Sequence, residues 1–195
     1  MSDVKIENLP FIFILPNYNS SQEPIIPPSV PIPEEVRLQF EKTIRDNSPF
    51  SPINLTILAN QGDINATFHL GFMKYWGFRM EKDRRNGFLM IKNAADNGHS
   101  NAQFVMGGFC LKGENVPRDS QKAIEYFQMS ADQNFPPALY NMGIYLSMMP
   151  GKTQDIPQAI HYFAAAAREN FEPAIQKLSQ FPKEMVKNYS PESVH

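Results

Sequence analysis

Alanine returns at positions 66, 102, 138 and 174, and the interval is 36 residues each time. Gly71, Gly107 and Gly143 keep that interval, as do Asp83, Asp119 and Asp155, and Ala95, Ala131 and Ala167. Phe68, Phe104 and Tyr140 hold an aromatic ring in one slot, and Leu70, Met106 and Met142 hold a large apolar residue in another. An ungapped period of this length marks a solenoid, in which each repeat is one supersecondary unit that buries its apolar surface only against its neighbours. The period predicts an all-α chain of about three full repeats, 66–101, 102–137 and 138–173, with partial ones on either side.

Each period reads as two helices. In residues 102–112, Ala102, Met106 and Phe109 share one helical face, Gly113 stops the helix and "ENVPRD" turns the chain. Asp119 is a natural cap for the second helix, where Ala123, Tyr126, Phe127 and Ala131 fall at helical spacing. Pro136-Pro137 then suits the first turn of the next helix. A glycine inside a helix costs about 1 kcal/mol relative to alanine. Gly71, Gly107 and Gly143, with the small Ala66, Ala102 and Ala138, are therefore expected where a neighbouring helix needs the space.

Outside the periodic body the composition shifts. Seven of the 17 prolines fall in residues 1–33, and "EPIIPPSVPIP" (23–33) reads as an extended spacer. Ahead of it sits "LPFIFILP" (9–16), too short for a membrane span and preceded by a net acidic leader unlike that of a signal peptide. Pro33-Glu34-Glu35 opens a helical pattern carrying Val36, Leu38, Phe40 and Ile44 and ending near Asp46. The expected organisation is a Pro-rich disordered tail 1–33, a folded body 34–181 and a flexible tail 182–195.

Residues 102–135, "AQFVMGGFCLKGENVPRDSQKAIEYFQMSADQNF", resemble the Sel-one-like repeat, a relative of the tetratricopeptide repeat. The likeness covers about residues 52–180. It implies a right-handed α-solenoid of antiparallel helix pairs and a role in binding proteins rather than in catalysis. The departures are local. The second turn glycine of the family is Arg79 and then Asn115, the tyrosine expected after the Leu-Gly pair is Lys74, Cys110 and Leu146, and Gly87 stands where Ala123 and Ala159 carry the pattern.

No catalytic or metal-binding constellation emerges. His69, His99, His161 and His195 form no i, i+4 pair, and Cys110 is the only cysteine. That single thiol excludes an internal disulfide and points to a reducing, cytoplasmic setting. Cys110 reads as a small buried apolar residue, His99 as a packing residue in the slot of Phe135 and Phe171, and His161 as a surface residue. No cofactor is expected. A formal net charge of −2 gives no bulk attraction to nucleic acid or anionic membrane, and the one basic cluster, "RMEKDRR" (79–85), is of mixed sign.

In tetratricopeptide-like arrays the first helices line the concave face, and the resemblance carries that expectation here. The candidate peptide-binding positions are Phe68, Phe72, Tyr75 and Trp76 in the first repeat, and Phe104, Leu111 and Lys112 in the second. In the third they are Tyr140, Ile144 and Met148. A face of this composition favours an extended or helical apolar peptide. The sequence thus predicts a non-enzymatic scaffold or adaptor. A nucleic-acid-binding helical repeat is the alternative class, which would require a broader basic stripe. Residues 9–16 have three possible destinations: the first-helix groove of this same chain, the face of an end repeat, or another protein's pocket.

Overall fold

The computed structural model describes residues 51–148 and 155–187. The apolar motif 9–16, the spacer, the helix expected over 33–46, the turn of the third repeat and the last residues of the chain lie outside the described residues.

All regular structure among the described residues is helical. In chain order the helices are α1 (Pro52–Asn60), α2 (Ile64–Trp76), α3 (Arg84–Asp96), α4 (Ser100–Lys112), α5 (Ser120–Ala131), α6 (Pro136–Ser147), α7 (Ile156–Arg168), α8 (Glu172–Leu178) and α9 (Lys183–Val186). The last is a single turn inside the stretch expected to be a flexible tail. First helices of successive repeats are α2, α4, α6 and α8, and second helices are α1, α3, α5 and α7.

Repeating residues start the second helices of the three repeats in the same way each time, and glycine stops the first helices of two of them. The aspartate before each second helix accepts from the backbone three residues on: Asn86 N–H to Asp83 (3.0 Å), Lys122 N–H to Asp119 (2.9 Å) and Gln158 N–H to Asp155 (3.0 Å). Such a cap is worth about 1 kcal/mol, and it satisfies a donor that the helix leaves open. Ser51 caps α1 in the same manner, with Pro52 at the first helical position. Gly77 and Gly113 end α2 and α4 in the left-handed region, at φ +74° and +72°. Two residues further on, Arg79 (φ +55°) and Asn115 (φ +60°) hold that same region without being glycine. The turn geometry thus survives at both positions where the sequence departs from a second turn glycine.

The described residues fall into two compact units, one up to Met106 and one from Gly107 onward, with the division inside α4. In the first unit α1 packs on α2 and α2 on α3, the last being the more extensive contact. Leu55, Ala66, Leu70 and Met73 form one core cluster, with Ala59, Phe78, Met80 and Met90 packed against it. Gly71 and Gly87 set the spacing of α2 and α3. A Cβ at Gly87 would lie 2.4 Å from the Tyr75 nitrogen and 2.7 Å from the Gly71 oxygen, so the two backbones touch.

In the second unit α5 packs on α6, α6 on α7, and α7 on α8 and α9. The glycine notch recurs but is filled differently. A Cβ at Gly107 would meet the Phe127 ring at 2.7 Å, and one at Gly143 would meet the Phe163 ring at 2.6 Å. Phe127 and Phe163 are fully buried there. Glycine at the repeated position is a packing requirement in all three repeats, as the sequence predicts.

Candidate functional site

Helices α2 and α6 are apolar around most of their circumference, and so is α4. Residues 68–73, 101–110 and 137–144 are buried without interruption. Second helices are built otherwise: in α3, Arg84, Arg85, Leu89, Lys92 and Asn93 form an exposed outer face, and in α5, Lys122, Glu125 and Met129 do the same. A helix apolar on every side is stable only when it is covered on every side.

Of the ten candidate binding positions, Phe68, Phe72, Tyr75, Phe104, Tyr140 and Ile144 are buried; Trp76, Leu111 and Met148 are half-buried and Lys112 is exposed. In the first unit the candidates form one aromatic run. Phe68 and Phe72 lie 6.1 Å apart between ring centroids, Phe72 and Trp76 4.1 Å, and Tyr75 and Trp76 4.5 Å. The Arg84 guanidinium sits 5.7 Å over the Tyr75 ring, a cation–π contact that ties α3 to the end of α2. Trp76 thus stands at the accessible end of a buried ladder of rings. In the second unit Tyr140 touches Phe163 (5.5 Å) and Phe171 (5.9 Å), and burial raises its phenol pKa.

Phe68 also anchors two histidines. The His99 ring stacks on it at 4.5 Å and the His69 ring meets its edge at 5.2 Å. His99 occupies the packing slot predicted for it and has a second task, since its Nδ1 accepts from the Ala102 amide (3.2 Å) at the start of α4. Burial lowers the pKa of His69 to about 4, with His99 lowering it further and Asp63 opposing. His99 is also lowered to about 4, again chiefly by burial. Both rings are therefore neutral at pH 7, the state in which His99 Nδ1 accepts a hydrogen bond. Cys110 is 2% exposed, and burial raises its thiol pKa, so it is poorly suited to nucleophilic work. His161 is exposed on α7.

The sequence reading missed an open cleft of about 370 Å³ between α2 and α3, lined by Thr67, Lys74, Asn86, Leu89, Met90 and Asn93. Its only sequence signal is Leu89, an apolar residue at an outward-facing position of a second helix. Among the described residues, no three His, Cys, Asp or Glu side chains are grouped to hold a metal ion, and no helix is long and apolar enough to cross a membrane.

Antiparallel helix pairs on a fixed period, with glycine notches and aspartate caps in register, define a tetratricopeptide-like helical repeat. The Sel1 repeat matches residues 64–99, 100–135 and 136–171, more than half of the chain, and this chain belongs to the Sel1 repeat family. The matched spans keep the predicted period and begin two residues earlier than the repeats read from the sequence. A crystal structure of a Sel1 repeat protein from Oxalobacter formigenes is similar, with a TM-score of 0.61 and 26% identity, covering 66% of this chain and 97% of that one. A protective antigen present in uropathogenic Escherichia coli strains, displaying an SLR fold, also has a TM-score of 0.61. At 23% identity it shows the fold alone; the match covers 71% of this chain and 32% of the antigen. No curated protein matches. The fold class is thus an all-helical solenoid, and Sel1 repeat proteins are in general scaffolds for protein–protein interaction.

Proposed function

We propose that this chain is a non-enzymatic adaptor of the cytoplasm that takes an apolar peptide segment of a partner protein on its first helices. The observation that carries the reading is the all-round apolar character and burial of α2, α4 and α6, set against second helices that keep an exposed outer face. Second helices pack on α2 from α1 and α3 and on α6 from α5 and α7, and an apolar peptide is the natural cover for what they leave open. Trp76, Leu111, Lys112 and Met148 are the candidate positions still open to a partner. A lone buried cysteine in 195 residues supports a reducing compartment.

Residues 9–16 are the chain's own best match to such a peptide, and we propose them as an internal occupant that a partner displaces. The test compares the full chain with a Phe11→Asp/Phe13→Asp variant. The variant is expected to bind a labelled peptide of residues 7–18 saturably and more tightly than the unaltered chain does, with Trp76→Ala weakening that binding. A variant that binds the peptide no better than the unaltered chain sinks the internal occupant. A full chain that captures no apolar peptide even with residues 9–16 disabled sinks the first-helix site as well.

A further inference from the structure

In-register comparison of the second helices exposes a gap on α1. Most of its positions behave like their counterparts one, two and three periods later. Leu55 is 3% exposed where Ile91, Phe127 and Phe163 are 0%, 1% and 0%. Ile53 and Ile57 are exposed, but they fall on the outward face, where Leu89 and Met129 are exposed as well. Leu58 breaks the pattern. Its counterparts Ala94, Ser130 and Ala166 are each 0% exposed, yet Leu58, the bulkiest and most apolar residue at that position, is 38% exposed. The chain there is otherwise normal: the Asp63 amide donates to the Leu58 carbonyl (3.0 Å) just as the His99 amide does to Ala94 (3.0 Å). Neither helix distortion nor a different turn explains the exposure, so Leu58 lacks a neighbour that its counterparts have.

The missing neighbour is identified by what precedes a second helix elsewhere. Helices α3 and α7 each follow the first helix they pack against most closely, α2 and α6. Helix α1 follows residues 34–46, which lie outside the described residues. Their sequence carries Val36, Phe40 and Ile44 at four-residue spacing, one face of a helix, with Glu34 and Glu35 at its start. Residues 47–51 would then be the connection, a length typical of paired helices. A hairpin centred on Pro49 would set Phe40 opposite Leu58, nine residues to either side. We infer that the apolar face of residues 34–46 docks on α1 and covers Leu58 with Phe40, completing a helix pair ahead of the first matched repeat.

Hydrogen–deuterium exchange on the full chain tests this directly. Amides of residues 34–46 should exchange at least about tenfold more slowly than an unprotected chain. Leu58→Asp should abolish that protection and leave residues 156–168 protected; Phe40→Asp should do the same and is the readout if Leu58→Asp fails to fold. Exchange of 34–46 at the unprotected rate in the unaltered chain overturns the inference, whatever the variants do. So does protection that survives both substitutions. Protection that grows over a roughly hundredfold rise in protein concentration would make a second copy the occupant. Loss of protection at 9–16 instead of 34–46 would assign Leu58 to the apolar motif.

Discussion

The α2–α3 pair and the α6–α7 pair share a period, but they close the same notch by different means. In α2–α3 glycine faces glycine, and a Cβ at Gly87 would come within 2.4 Å of backbone. In α6–α7 the counterpart of Gly87 is Ala159, and the Phe163 ring lies in the notch of Gly143, where the first repeat has Ile91. The ring slot differs in parallel. Phe68 stacks on a histidine in one pair, whereas Tyr140 meets Phe171 edge-on in the other. A solenoid repeat therefore conserves the volume between its helices, and it divides that volume differently between backbone approach and side chain.

The largest effects should follow that division. Phe163→Ala is expected to destabilise the chain by about 4 kcal/mol and Ile91→Ala by about 3, as measured by urea unfolding, because a fully buried ring leaves the larger cavity. Glycine substitutions should run in the opposite order. Gly87→Ala is expected to cost about 3 kcal/mol, since backbone cannot yield, and Gly143→Ala about 1.5, since the Phe163 ring can. Adding Phe163→Leu should recover part of the Gly143→Ala loss, and the pair should be non-additive. Equal costs for Gly87→Ala and Gly143→Ala would break the distinction between the two notches.

Much of this was legible in the sequence, for a physical reason. Period, helix pairing, caps at Asp83, Asp119 and Asp155, and glycine notches are local requirements that each repeat must meet again, so they leave a periodic trace. The choice of neighbour leaves none. Gly87 looks like a lapse from the alanine pattern until Gly71 is seen against it, and Arg79 looks like a lost turn although its backbone keeps φ +55°. Burial of Phe68, Phe72, Tyr75, Phe104, Tyr140 and Ile144 was equally hidden, because a first helix that is apolar all round gives no period by which to tell a covered face from an open one.

Acid should separate the two pairs next. Well above pH 6.5 His69 and His99 are neutral in both the folded and the unfolded chain, so they contribute no pH dependence there. As pH falls from 6.5 toward 4 the unfolded chain takes up protons that the folded rings refuse, and stability drains away across that window. His69 alone accounts for a loss on the order of 3 kcal/mol by pH 4, and partial solvation reduces the share of His99. The α6–α7 pair has Asn141 at the register position of His69 and Phe171 at that of His99, so neither position titrates there. Exchange measured segment by segment at pH 7 and pH 4.5 should show α2 and α3 opening first. His69→Asn, the solution the chain itself uses at 141, should remove most of the difference. An unchanged acid loss in that variant would move the sensitivity elsewhere.

The smallest expected effect lies in the turns that follow the second helices. Gly98 (φ +87°) and Asn170 (φ +57°) hold equivalent left-handed positions, and the next amide closes the same turn in each, His99 to Ala94 (3.0 Å) and Phe171 to Ala166 (3.2 Å). Nothing lies within 4 Å of a Cβ built on Gly98, so a substitution there tests backbone preference alone. Gly98→Asn should cost a few tenths of a kcal/mol, about 0.5, and Gly98→Ala about 1, since alanine lacks the local hydrogen bonding that lets asparagine visit this region. Asn170→Gly should gain about as much as Gly98→Asn loses, less the extra chain entropy that glycine carries into the unfolded state. If the exchanges cancel in a Gly98→Asn/Asn170→Gly double variant, the two turns are energetically interchangeable, and the contrast between the pairs resides in their helix contacts. A net loss larger than about 1 kcal/mol would instead place part of that contrast in the turns themselves.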